Sequence, residues 1–207
     1  MMYYPESVSQ ELLLILKKLM LEAELKDFNL GGGTSLALRF GHRRSVDIDL
    51  FSRRQFDSLH LSELLHSRFS SLELINRTEG SLCMLIDGCK LDILQHNFPL
   101  LNEPLVNNGI RFLSLPDLAA MKINAVTNRG SKKDFVDLYL LHSNDIPLTE
   151  SLDYFCEKYG SAGRFLAIRS LGWFEDADAE PDPVFLNGWT WETVRLQMEN
   201  LVRDFLI

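Results

Sequence analysis

The run Gly31-Gly32-Gly33-Thr34-Ser35 is followed a short spacer later by Arg43-Arg44-Ser45-Val46-Asp47-Ile48-Asp49-Leu50-Phe51, and this pair of segments constrains the chain more than any other feature. Three consecutive glycines free the backbone to turn sharply and to approach a ligand closely. Thr34-Ser35-Leu36-Ala37-Leu38 then starts a helix, whose free N–H groups and positive dipole end suit a phosphate. Asp47 and Asp49 are two apart in a strand pattern, so both carboxylates project from one face. Val46, Ile48 and Leu50 are expected on the opposite face, within a core. Paired hard oxygen donors near a phosphate-binding turn suit magnesium–nucleotide chemistry, because magnesium takes few carboxylates and shares phosphate oxygens.

The flanking sequence reads as a mixed α/β half up to about residue 113, then a helical half from 114 to 207. A helix is expected over Glu6–Leu25, a short strand over Phe28–Leu30, a helix over Thr34–Phe40 ended by Gly41, and the carboxylate strand over Val46–Phe51. Asp57–Phe69 has helical patterning, and Leu72–Arg77 reads as a strand. Two apolar runs joined by Asp87-Gly88 form a hairpin signal over Leu82–Leu94. Asn107-Asn108-Gly109 turns into a strand at Ile110–Leu113. Ser114 and Asp117 resemble a helix-capping pair with Pro116 in the first turn. Helices are expected over Pro116–Asn128, Lys132–His142, Thr149–Tyr159, Arg164–Leu171 and Trp191–Phe205, with a loop at Glu175–Pro183.

Composition narrows the function classes. A net charge of −8 argues against broad nucleic-acid binding, although Arg39, Arg43, Arg44, Arg53 and Arg54 crowd around the Asp-x-Asp segment. They are read either as a local cationic cleft or as solvated arginines. Cys83, Cys89 and Cys156 are odd in number and lack metal-ligand spacing, so free thiols are expected and no zinc. The five histidines are scattered, and no metal is assigned to them. The richest apolar run, Leu12–Leu16, meets Lys17-Lys18 too soon to span a bilayer, and no signal-peptide pattern opens the chain. No membrane partner is expected, and the cytoplasm is the expected location.

Three further segments carry chemistry. Asp92 interrupts the apolar run Leu91-Asp92-Ile93-Leu94; it shares a face with Lys90 and reads equally well as a solvent-facing position. Asp87 precedes glycine and is better used by the turn. Lys122 sits in an otherwise apolar helical stretch, where a lysine can snorkel to solvent. In Lys132-Lys133-Asp134-Phe135-Val136-Asp137, the two aspartates fall one helical turn apart, opposite an apolar side. Asp134 also reads as a carboxylate at a helix N-terminus.

Taken together, Gly32-Gly33-Thr34, then Arg43-x-Ser45-x-Asp47-Ile48-Asp49-Leu50, and later Lys132-x-Asp134-x-x-Asp137 resemble the AbiEii/AbiGii toxin branch of the nucleotidyltransferases with the DNA polymerase beta-like fold. The resemblance spans most of Phe28–Leu141 and fades afterwards. It implies an α+β fold: a nucleotidyltransferase core of mixed sheet and helices over 1–113, followed by a helical C-terminal region over 114–207 that completes the cleft. It implies Asp47, Asp49 and Asp92 as catalytic metal ligands for Mg2+, with Lys122 and Asp137 also catalytic. Gly32, Gly33, Thr34, Arg43, Ser45, Lys132 and Asp134 are the implied nucleotide-binding set. The implied substrate is an NTP and the implied reaction is transfer of a nucleoside monophosphate to an acceptor hydroxyl, such as that of an RNA or tRNA end. The implied setting is a toxin–antitoxin or abortive-infection system with a cognate antitoxin protein. Two other readings share the fold: a nucleotide-binding regulator or antitoxin without transfer, and a transferase acting on a small cationic, aminoglycoside-like acceptor.

Overall fold

The structure is a computed structural model that describes residues 2–203 and 205. The chain divides into two compact units: Met1–Gly41, Ser45–Pro99 and Pro104–Leu113 form the first, and His42–Arg44, Leu100–Glu103 and Ser114–Ile207 the second.

The first unit holds α1 (Gln10–Leu21), β1 (Asn29–Leu30), α2 (Gly32–Phe40), β2 (Asp47–Ser52), α3 (Ser58–Arg68), β3 (Leu72–Thr78), β4 (Ser81–Ile86), β5 (Cys89–Gln95), β6 (Leu105–Asn107) and β7 (Ile110–Phe112). Its strands make one seven-stranded sheet in the order β3-β4-β5-β2-β1-β7-β6. β2 runs parallel to β5 and β1 parallel to β7, while the other neighbours are antiparallel. The order places β2 at the centre, where alternation decides its faces: Ile48 and Leu50 are fully buried, whereas Asp47 and Asp49 stay partly exposed. Val46 departs from the expected pattern. It precedes the strand and is 69% exposed, so it adds nothing to the core.

Local chemistry sets the element ends. The expected helix over Glu6–Leu25 is three pieces: 3-10 turns at Pro5–Ser7 and Ala23–Leu25 flank α1. Ser9 accepts the Leu12 N–H and starts α1 at Gln10, and Glu22 is extended and stops it. Asp57 accepts the N–H groups of Leu59 and His60 to cap α3. Gly41, at φ 64°, ends α2. Two of the hairpin turns use the left-handed region at both central residues, at Asp87 (φ 48°) with Gly88 (φ 79°) and at Asn108 (φ 50°) with Gly109 (φ 77°). The second turn joins β7 to the short, mostly exposed edge strand β6, which its sequence does not announce.

The second unit holds α4 (Leu115–Asn128), α5 (Lys132–His142), α6 (Leu148–Tyr159), α7 (Arg164–Leu171), α8 (Glu175–Ala179) and α9 (Trp191–Arg203). Ser114 caps α4 by accepting the Asp117 N–H. Phe135, Phe174 and Trp191 meet at ring-centroid distances of 4.8 to 6.2 Å at the centre of its core. Two expectations are corrected. The segment Glu175–Pro183 contains α8, whose Asp178 accepts from Trp191 Nε1 and Arg195. α9 is described over Trp191–Arg203, residue 204 of the expected helix lies outside the described residues, and Phe205 lies in a turn. The strap His42–Arg44 joins this unit through backbone bonds to its own partner segment, Arg44 N–H to Val184 O at 2.8 Å and Leu186 N–H to His42 O at 2.9 Å.

All three cysteines are free thiols. Among the described residues no helix is long and apolar enough to cross a membrane.

Candidate active site

The first unit gathers its carboxylates on one face of two neighbouring parallel strands. Asp49 of β2 is the in-register partner of Asp92 of β5, and Asp47 is the partner of Lys90. Paired residues of adjacent strands point the same way, so Asp47, Asp49 and Asp92 share a face. Asp92 also accepts Lys90 Nζ at 2.6 Å and faces Cys83, its partner on β4. Burial, followed by the hydrogen bond to Asp92, pushes the Cys83 thiol up to about 11. Asp92, chiefly through its hydrogen bond, raises the Lys90 ammonium above its ordinary value.

The glycine turn abuts this face. Gly31 N–H donates to the Asp49 carbonyl at 2.9 Å, tying the start of α2 to β2. Gly32 has φ 61°, and a Cβ there would lie 2.0 Å from Asp49 Oδ2. Only glycine lets the backbone pass this close to the carboxylate. Gly33 and Thr34 follow in the first turn of α2, where backbone N–H groups lack intrahelical acceptors. Thr34 Oγ1 contacts the Asp47 carbonyl and lies 2.8 Å from Ser45 Oγ. The two hydroxyls thus fasten the helix start to the entry of β2. The donor set is three carboxylates beside a backbone anion cradle, and it fits magnesium, a hard cation that usually keeps waters and substrate phosphate oxygens. Among the described residues no group of three or more His, Cys, Asp or Glu side chains stands close enough together to hold a metal ion by itself.

The second unit brings Arg43, Lys122, Asp134 and Asp137 into one buried cluster, together with His42 and Arg129. Arg43 grips Asp137 with two bonds, Nε to Oδ1 and NH2 to Oδ2, each 2.8 Å. His42 Nε2 lies 2.8 Å from Asp137 Oδ1, and Lys122 Nζ 2.6 Å from Oδ2. Lys122 also reaches Asp134 at 2.9 Å, and Arg129 grips Asp134 at 2.7 and 3.0 Å. Burial alone would raise the Asp137 carboxyl, but Arg43 and Lys122 outweigh it and hold it well below the usual carboxylate range. Burial likewise opposes charge on Lys122, and Asp134 and Asp137 more than restore it. His42 goes the other way: burial depresses it, and Asp137 recovers only part of the loss. Three cations, Arg43, Lys122 and Arg129, thus share the two carboxylates.

Lys132 stands apart from that cluster. Its ammonium donates to the Glu180 carbonyl at 2.6 Å and to Asp182 at 2.7 Å, beside the Trp191 ring. The arginine crowd also disperses, since Arg39 is buried with its NH2 on the Leu113 carbonyl and Arg54 pairs with Asp27. His42 and Arg129 are the cluster members that motif reasoning passes over. Their only local signals are adjacency to Arg43 and a five-residue spacing to Asp134.

The chain is similar to known proteins over most of its length. A model of the family described as "Nucleotidyl transferase AbiEii toxin, Type IV TA system" matches residues 14–82 and 85–206, well past Leu141 where the motifs fade. An uncharacterized protein of Aquifex aeolicus is 35% identical over 193 residues, covering 87% of this chain and 88% of that protein. A putative nucleotidyltransferase from H. pylori superposes with a TM-score of 0.58 at 15% identity, covering 94% of each chain. MenT4, a nucleotidyltransferase toxin from Mycobacterium tuberculosis, superposes with a TM-score of 0.54 at 16% identity, covering 94% of this chain and 82% of its own. The mixed sheet followed by helices is therefore the nucleotidyltransferase fold.

Proposed function

The chain belongs to the AbiEii nucleotidyltransferase toxin family, and on that footing we propose that it moves a nucleoside monophosphate from an NTP to an acceptor hydroxyl in a magnesium-dependent reaction. The observation that carries this reading is the in-register pair Asp49 and Asp92, with Asp47 on the same face and Gly32 pressed against Asp49. Asp47, Asp49 and Asp92 would hold magnesium, which when bound supplies positive charge to phosphate oxygens and eases ionisation of a hydroxyl. The N–H groups of Gly32, Gly33 and Thr34 bind and orient the phosphates. Asp92 accepts the acceptor hydroxyl's proton; the oxygen–α-phosphorus bond forms as the bond to the β-phosphate breaks, and pyrophosphate leaves. Within the second unit, Asp137 keeps Lys122 and Arg43 oriented. Type IV toxin membership supports a separate antitoxin partner; the acceptor in this proposal is an RNA such as a tRNA end.

The test incubates the protein with each radiolabelled NTP and magnesium, offering total RNA, purified proteins and small cationic acceptors in parallel. Label on one pool names the acceptor class and the base. Asp47→Asn or Asp49→Asn should abolish labelling while the protein stays folded, since asparagine keeps the shape but not the charge a hard cation needs. Labelling that survives either change at low-millimolar magnesium refutes the assignment. NTP binding with no pyrophosphate release in any pool refutes the enzyme and leaves the regulator.

A further inference from the structure

Asp92 has a cationic partner of its own. Lys90 lies two residues earlier on the same strand and face, and its Nζ is 2.6 Å from Asp92 Oδ2. Lys90 is also the in-register partner of Asp47, so its stem starts beside the first carboxylate and its charge ends on the third. The other neighbours that face Asp92 are Asp49 on β2 and the Cys83 thiol on β4, and neither brings positive charge. The Lys90 side chain is about half exposed (45%), so it can leave for water without disturbing the core. An ammonium and a divalent cation cannot both occupy the same carboxylate oxygen at close range.

We propose that Lys90 is a built-in competitor for the third carboxylate: its ammonium holds Asp92 in the empty site and must be displaced before metal binds, so this residue sets the magnesium concentration at which the site fills. The inference rests on Asp92 being a metal ligand. An exposed ion pair is worth a few tenths to about 1 kcal/mol, so removing the competitor should tighten metal binding by roughly two- to five-fold.

The test titrates Mn2+, a paramagnetic substitute for magnesium, into the nucleotide-free protein and follows free Mn2+ by electron paramagnetic resonance. Lys90→Met should bind Mn2+ roughly two- to five-fold more tightly than wild type, and Lys90→Arg should stay near wild type because the pair persists. Lys26→Met, at an exposed lysine in the turn before β1, removes the same charge away from the carboxylate face and should change nothing. Unchanged affinity in Lys90→Met, alongside weakened binding in Asp92→Asn, overturns the competitor while keeping the metal site. Equal tightening in Lys26→Met reduces the effect to net charge and also overturns it. Absence of Mn2+ binding in every variant, wild type included, overturns the metal reading and this inference together.

Discussion

Gly32 shows how closely one residue can couple backbone conformation to chemistry. Its φ of 61° is open to glycine at little cost, and the space where a side chain would begin already holds Asp49 Oδ2, 2.0 Å from an ideal Cβ. Gly32→Ala therefore carries two penalties, about 1–2 kcal/mol for a left-handed alanine and displacement of the carboxylate. Gly88, at φ 79°, faces nothing within 4 Å, so Gly88→Ala carries the conformational penalty alone. Both variants should melt several degrees lower, and only Gly32→Ala should lose pyrophosphate release. Equal activity in the two would mean that the Asp49 carboxylate is not part of the site. Asp92 and Asp87 make a second pair on one hairpin. Asp87→Asn should leave both activity and melting nearly unchanged, because asparagine before glycine suits this turn at φ 48°. Asp92→Asn should cost turnover heavily, and the reverse ranking would put the third carboxylate at the wrong residue.

At the scale of elements, Asp137 fastens α5 to α4 through Lys122 and to the strap through Arg43 and His42. Replacing it with asparagine leaves buried cations without their counter-charge, a loss on the order of 3–5 kcal/mol. The pH dependence has a definite sign. Asp137 is depressed below its ordinary 3.8, so its contribution is full above that value and fades as pH falls toward the lower folded value. His42 is depressed below 6.5, so the unfolded chain takes its proton first and stability already declines as pH falls below 6.5. Urea unfolding at pH 8, 6 and 5 should show that decline in wild type and a smaller one in His42→Gln; identical slopes would remove His42 as its source. This cluster is also where reading the sequence stops short. Strands, caps and turns are legible because their causes are local: β2 alternates, Ser114 caps, and Asn108-Gly109 needs the left-handed region. β6 escapes because an edge strand of three residues has no buried face to pattern it. α8 escapes because five acid-rich residues are held by Trp191 and Arg195 from α9, well downstream. Lys122 and Asp137 can be singled out from motifs, but the bonds of Asp137 to Lys122 and to His42 join residues 15 and 95 positions apart.

For the molecule as a whole, family membership and the carboxylate face address different questions. Membership says that the protein is built as a nucleotidyltransferase toxin, and the match from residue 14 to 206 takes in both compact units. Whether toxicity flows from transfer depends on the first unit's face, since a binding regulator could keep the same fold without its carboxylates. Asp49→Asn separates the two, because it removes one charge at the centre of the sheet while Ile48 and Leu50 keep β2 in the core. Induced expression of the wild-type chain without an antitoxin should arrest growth of a bacterial host. The Asp49→Asn protein, accumulated to the same level and melting within a few degrees of wild type, should leave growth unaffected. RNA from arrested cells should also carry added nucleotides that are missing from the Asp49→Asn culture. Arrest that persists in the variant would detach toxicity from the carboxylate face and place it in binding.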